Sequence, residues 1–264
     1  MKAAVLIDNV PGEGLAGEWG LSLWIEHGDK RILFDTGATG AFAENAERLG
    51  IDLASADFAA LSHAHYDHAG GMAEFFARNS RAPMFVRAGA GEDCFKRGED
   101  GPEYIGIERG ALERYAARIR FVSGLFEVCH GAWLLPHGAP HPERADELLR
   151  LEGGGLRPDG FLHEQSLVVA DPRGLVVFSS CSHAGADVVL AETARAFPGE
   201  RIYAFVGGLH LYRSPREEIE ALAARVLETG VSRVVTGHCT GEAAALLRET
   251  LGDRLELFCS GYRI

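Results

Sequence analysis

Residues 61–71, Leu61-Ser62-His63-Ala64-His65-Tyr66-Asp67-His68-Ala69-Gly70-Gly71, set three imidazoles and one carboxylate within six positions, directly after an apolar run. Side chains of this kind are costly to bury unless each finds a partner. A borderline cation such as zinc accepts neutral imidazole and carboxylate together, so the segment reads as the centre of a metal site. His63 and His65 share a side by alternation, whereas the adjacent Asp67 and His68 diverge. One cation can therefore sit on His63 and His65 while a second is addressed by Asp67 and His68. Gly70-Gly71 are expected to turn the backbone tightly into a following helix. Surface histidines at a capped helix start are the competing explanation, and they leave this composition without a reason.

A metal site needs more donors than one loop supplies. Three further histidines close apolar runs beside glycine: His183 after Leu175 to Phe178, His210 in Val206-Gly207-Gly208-Leu209-His210, and His238 in Val235-Thr236-Gly237-His238. Asp35 follows Leu33-Phe34 in the same way. Repetition of the pattern places all four on one rim of a sheet. His27, His130, His137, His141 and His163 lie in turns or in the irregular middle and are expected to meet solvent or local hydrogen bonds.

Short apolar runs bounded by Gly, Asp or Pro predict strands at 3–7, 21–26, 31–34, 58–61, 84–86, 119–122, 132–135, 166–170, 175–178, 202–206, 233–235 and 255–258. Helical periodicity covers 40–49, 72–78, 186–196, 215–228 and 242–251, the fourth opening with Ser214 as N-cap and Pro215 at its first position. Interleaving of this kind gives an α/β or α+β class. Residues 89–160, rich in Gly, Pro and charge, are expected to form an irregular insertion over one edge of a single domain spanning 1–264.

Composition narrows the partners. The net charge of −12 disfavours nucleic acid and anionic membrane, and no apolar run is long enough to span a bilayer. Five cysteines without a CxxC pair argue against a disulfide framework, so a cytoplasmic setting and a small-molecule substrate are expected.

His63-x-His65-x-Asp67-His68 after a strand, with Asp35-Thr36-Gly37 upstream, resembles the metallo-β-lactamase superfamily. Glu18-Trp19-Gly20-Leu21-Ser22, Cys181-Ser182-His183-Ala184-Gly185, Gly207-Gly208-Leu209-His210-Leu211 and His238-Cys239-Thr240-Gly241 are similar to one branch of it, over nearly the whole chain. Members of that branch are described as metal-dependent hydrolases, and some as 7,8-dihydropterin-6-yl-methyl-4-(β-D-ribofuranosyl)aminobenzene 5′-phosphate synthases of methanopterin assembly. The resemblance implies a four-layer αββα sandwich with a dinuclear site at one edge. It also implies that His63, His65 and His183 hold the first metal, that Asp67, His68 and His238 hold the second, and that Asp35 fixes the His loop by hydrogen bonds. Most relatives place a metal-bridging aspartate where this chain has Phe178-Ser179-Ser180-Cys181. Either Cys181, as thiolate, or His210 would complete the shell, and without a substitute the enzyme would use one metal.

The expected reaction is attack of a metal-bound hydroxide on a carbonyl or phosphorus centre of a small, phosphorylated or pterin-like substrate, at one or two Zn2+ ions, with iron or manganese as alternatives. Asp67 would orient the water and accept its proton, and His210 is the other catalytic candidate. Glu18, Trp19, Tyr104 and Glu164 are candidates for lining the pocket, and Arg109, Arg114 and Arg120 for binding a ring or phosphate. Three competing roles are the pterin synthase condensation, an iron-dependent redox reaction, and a non-catalytic metal-stabilised binding domain.

Overall fold

The computed structural model describes residues 1–138 and 147–264. In chain order β1 (Lys2–Ile7), β2 (Ser22–His27) and β3 (Lys30–Phe34) precede α1 (Ala41–Arg48), and β4 (Phe58–Ala60) leads into α2 (Tyr66–Ala69) and α3 (Met72–Arg78). Next come β5 (Met84–Arg87), β6 (Cys94–Gly98), β7 (Gly101–Tyr104), α4 (Ala111–Arg114), β8 (Ile119–Val122), β9 (Phe126–Cys129) and β10 (Ala132–Pro136). They are followed by β11 (Leu148–Glu152), β12 (Gly155–Pro158), β13 (Gln165–Asp171), β14 (Gly174–Phe178) and α5 (Ala186–Ala196). The chain closes with β15 (Ile202–Val206), α6 (Arg216–Glu228), β16 (Arg233–Thr236), α7 (Ala243–Leu251) and β17 (Leu255–Leu257).

Period-two alternation sorts the side chains of these strands into separate cores. From β2 and β3, Leu23, Ile25, Ile32 and Phe34 point inward to meet Leu167, Val169, Val176, Phe178, Ala204 and Val206 of β13 to β15. The intervening Trp24 and Leu33 point the other way, onto Phe42 of α1 and Phe75 of α3. Likewise Val168, Val177 and Phe205 turn outward onto Val189 of α5, Leu222 of α6 and Leu247 of α7. Complete burial of a side chain such as Phe34 or Phe178 stabilises by about 2–3 kcal/mol, so register is strongly specified. The result is an αββα sandwich of four layers. One sheet has the order β1-β2-β3-β4-β5-β8, and the other β17-β16-β15-β14-β13-β10-β9.

β3-β4 and β14-β15-β16 pair in parallel, so their carboxyl ends share a rim. Asp35, Ser62-His63, Cys181-Ser182-His183, Gly207 to His210 and His238 all follow those ends. This is where open α/β sheets place their ligands.

Three local expectations change. Residues 89–160 carry regular structure, including a four-stranded sheet of order β12-β11-β6-β7; β12 is exposed along its whole length, so no alternation marked it. Pro215, with φ −67° and ψ 157°, is itself the cap of α6, and Ser214 lies outside. Gly70 has an ordinary helical φ of −64°; its need for glycine is close approach, because a Cβ there would lie 2.1 Å from the Ala38 carbonyl oxygen. His141 lies outside the described residues. Among the described residues no helix is long and apolar enough to cross a membrane.

Candidate metal centre

The histidine loop is held from below by Asp35. Its carboxylate accepts from the Ser62 backbone N–H at 2.7 Å and the Ser62 hydroxyl at 2.7 Å, and pairs with His68 Nδ1 at 2.9 Å. The Ser180 hydroxyl donates to the same carboxylate from the other sheet. Ser62 Oγ also sits 2.8 Å from His63 Nδ1. From the side, the Tyr66 N–H donates to the Ile105 carbonyl at 2.8 Å, tying the loop to the segment after β7. Fixing the outer nitrogens of His63 and His68 in this way aims the inner ones.

The inner nitrogens converge. His63, His65, His183 and His238 are buried, and the Nε2 of each has no hydrogen-bond partner; the same holds for His210 Nδ1. Orphaned buried nitrogens are rare because each costs about 1–3 kcal/mol. Their ring centroids lie 4.6 Å (His63–His65), 4.9 Å (His63–His183) and 5.0 Å (His65–His183) apart. Asp67 Oδ2 lies 3.5 Å from His68 Nε2 and 3.4 Å from His238 Nε2. Donor atoms within 4.8 Å of one another form a set of Asp67, His68, Cys181 and His238, and another of His63, Cys181 and His183. Neutral imidazoles, a carboxylate and a thiol suit a borderline cation, so the donor set fits the metal that the loop requires.

Electrostatics follow from this crowding. Burial takes His65 down to about 3, and burial together with neighbouring imidazoles holds His63 and His183 well below the ordinary imidazole value. His68 goes the other way: burial opposes its charge, yet Asp67 and Asp35 carry it up to about 10. Burial likewise opposes ionisation of Asp67, but His68 and His238 outweigh it and keep the carboxylate charged.

Cys181 occupies the position between the two donor sets. Its Sγ lies 3.3 Å from His68 Nε2 and 3.4 Å from Cys239 Sγ, and the His210 backbone N–H donates to Cys239 Sγ at 3.1 Å. The backbone around these groups is strained. Of the non-glycine residues with positive φ, Asp35 (61°), Ser182 (56°), His210 (50°) and His238 (47°) all stand on this rim. Gly207, at φ 153°, would drive a Cβ to 1.5 Å from the Ser179 carbonyl oxygen, so the strand end passes only as glycine.

The residues expected to line the pocket separate. Trp19 reaches it, with its ring 5.4 Å from that of His238. Glu18 does not: it accepts from the Ala38 and Thr39 N–H groups at 2.9 and 3.1 Å and braces the loop after Asp35. Glu164 is buried and accepts from the His183 and Ala184 N–H groups at 2.7 and 2.9 Å, so it shapes the His183 turn. Tyr104 donates its hydroxyl to the Ile107 carbonyl and stacks under Arg109, while Arg114 pairs with Glu108 and Arg120 caps Ala117 and Ile119. None of Glu18, Glu164, Tyr104, Arg109, Arg114 and Arg120 is among the pocket's lining residues.

Other residues do what sequence reasoning had not assigned. His163, expected to meet solvent or a local partner, is buried, accepts from the Ala64 N–H at 3.1 Å and holds Asp159 at 2.9 Å through its other nitrogen. Its i, i+4 spacing from Asp159 was the available signal. Cys94 and His65 complete a donor set with that pair. Asp8 accepts from the His238 N–H at 2.7 Å, and Asn9 Oδ1 sits 2.9 Å from His238 Nδ1. His27 pairs with the His130 carbonyl and the buried His137 bridges Ser166 and Glu192, partners distant in sequence instead of the solvent or local contacts expected, while His130 is exposed.

A cavity of about 290 Å³ opens over the centre, with Asp67, Cys181 and His210 at its floor, Trp19, Tyr66 and Tyr212 about it, and Lys96 and Arg213 among its lining. The three aromatic residues are between 38% and 43% exposed, which puts rings within reach of whatever enters.

A family model described as the metallo-beta-lactamase superfamily matches residues 20–238. A solved metal-dependent hydrolase of the beta-lactamase superfamily superposes with TM-score 0.86 at 30% identity, over 100% of this chain and 98% of that one. The Methanocaldococcus jannaschii protein named 7,8-dihydropterin-6-methyl-4-(beta-D-ribofuranosyl)-aminobenzene-5'-phosphate synthase is 27% identical, over 97% of this chain and 96% of its own. The Zn2+-bound PqqB of Methylobacterium extorquens shares the fold, with TM-score 0.61 at 10% identity over 100% of this chain and 99% of that one.

Proposed function

The chain belongs to the metallo-β-lactamase superfamily, and we propose that it is a metal-dependent hydrolase acting on a small anionic substrate with a planar ring. The observation that carries this reading is the convergence of buried, partnerless imidazole nitrogens on Asp67 and Cys181. In it, His63, His65 and His183 hold one cation, Asp67, His68 and His238 hold a second, and Cys181 stands between them. Zinc is the cation this donor set favours, since thiol and imidazole together suit it better than they suit manganese. When bound, such ions lower the pKa of water and polarise a carbonyl or phosphoryl oxygen.

The rest falls to the chain's own groups. Asp67, held ionised, orients the attacking water and accepts its proton. His210 lines the pocket with Nδ1 free of any hydrogen bond, which leaves it available as a further donor beside Cys181. Trp19, Tyr66 and Tyr212 stack on the ring, and Lys96 and Arg213 meet the anionic group.

His65→Ala should lower bound metal by about one ion per chain, since such ligands set affinity directly. Metal analysis of protein purified without added metal checks this, and unchanged content in the variant sinks the site assignment. A panel of phosphodiester, lactone, thioester and β-lactam substrates then identifies the bond broken.

A second reading, condensation of a dihydropterin with a phosphorylated ribofuranosyl aminobenzene, is favoured by the synthase relative together with the aromatic and cationic pocket lining. Product formation from those two compounds, with no hydrolysis across the panel, would replace the first reading with this one. Iron in the isolated protein with oxygen consumption would instead support redox chemistry, and tight metal with no turnover a binding domain.

A further inference from the structure

We propose that Cys181, Cys239 and His210 make a thiophilic cation position of their own, contiguous with the histidine and aspartate centre and facing the pocket. The inference rests on the metal-dependent reading above and adds Cys239, which none of the other three donor sets contains. Three observations carry it. The ligand atoms of the three residues lie within 4.8 Å of one another, with the two sulfurs 3.4 Å apart. All three residues line the cavity, so a cation held by two sulfurs and one nitrogen would keep an open position toward substrate. Finally, the backbone is cut away to admit the Cys239 thiol: a Cβ on Gly208 would lie 2.6 Å from its Sγ, and His210 takes a φ of 50° while its N–H reaches that sulfur.

Soft donors choose soft or borderline ions. Two thiolates and an imidazole suit Zn2+, Cd2+, Cu+ or Fe2+ and discriminate against Mg2+, Ca2+ and Mn2+. Cys181 is common to this set, to that of Asp67, His68 and His238, and to that of His63 and His183, so its sulfur would link the new position to the rest of the centre.

The test uses the full chain loaded with Co2+ for absorption and with Cd2+ for cadmium NMR. Wild type is expected to show a sulfur-to-cobalt charge-transfer band and a cadmium resonance in the sulfur-ligated range. Cys239→Ser should lose roughly half of the band intensity, as one of two thiolates goes, and should bind one thiophilic ion fewer, while His63→Ala keeps the band. The wild-type cadmium resonance distinguishes two bound thiolates from the single Cys181 thiolate that the histidine and aspartate centre would itself supply, so it decides the matter even if Cys239→Ser is unstable, and a one-thiolate shift overturns the inference. Histidine-bound metal without any thiolate band in wild type would overturn this inference and leave the hydrolytic reading standing. A wild-type protein that takes up no metal overturns both.

Discussion

The rim of the two large sheets and the small sheet of β12-β11-β6-β7 border one pocket and are built oppositely. On the rim nearly every polar group is buried and three of the imidazoles have their outer nitrogen tied down: His68 to Asp35, His63 to Ser62, His238 to Asn9. The small sheet presents solvated charge instead, with Lys96 paired to Glu103 at 2.8 Å while both stay about half exposed. Buried networks are high-stakes because a group deprived of its partner has no water to turn to, whereas exposed pairs contribute little. Geometry is thus concentrated where substitution is costly, and substrate preference where it is cheap.

The largest effect should come from Asp35→Ala. Removing it leaves Ser62, Ser180 and His68 Nδ1 buried without their partner, so unfolding free energy should fall by about 3–5 kcal/mol and metal content should drop with it. A loss under about 1 kcal/mol by denaturant titration would break the comparison at its stronger end. Next, Asp159→Asn and His163→Ala touch no pocket atom yet release the Ala64 N–H between two metal-ligating candidates, and metal affinity should weaken about 10- to 100-fold. Unaltered affinity by competitive chelator titration would show that the loop is stiff without them. On the other side, Lys96→Ala should raise KM for an anionic substrate about 3- to 10-fold with kcat and metal content unchanged. Equal loss of kcat would move the small sheet into the chemistry.

The smallest effect belongs to an exposed pair far from the pocket. Arg233 donates to both oxygens of Glu256 at 2.7 and 2.8 Å, and the Glu256 carboxyl is held down to about 2. A depressed carboxyl contributes stability above its ordinary value near 4.5, and that contribution is lost as pH falls from there toward about 2. With a third of the Glu256 side chain exposed, screening limits it to under about 1 kcal/mol. Tm should therefore decline less between about pH 5 and pH 2.5 in Glu256→Gln than in wild type, and parallel declines would assign the pair no role.

Legibility followed the same divide. Strands such as β2, β3, β14 and β15 announced themselves because they are buried on both faces, and the rim histidines because each closes one of those runs beside glycine. β11 and β12 carry Arg150, Glu152 and Arg157 on exposed strands, so neither alternation nor apolar density marked them. His163 escaped notice because its partner Asp159 and the loop it supports become neighbours only through β13 returning beside the histidine loop. Glu18 and Tyr104 had the right chemistry for a ligand pocket, but backbone groups had already claimed their polar atoms.

The left-handed residues of the rim have an evolutionary consequence. Asp35, Ser182, His210 and His238 each hold a conformation that glycine or asparagine would adopt at lower cost. A library selected only for thermal resistance should therefore erode Ser182, His210 and His238 first, Ser182 ahead of the other two because it offers no donor to the metal sets, whereas Asp35 is kept by the partners it holds. Any stabilised descendant that retains those three has been kept there by chemistry, so the strain itself becomes a record of what the rim is for.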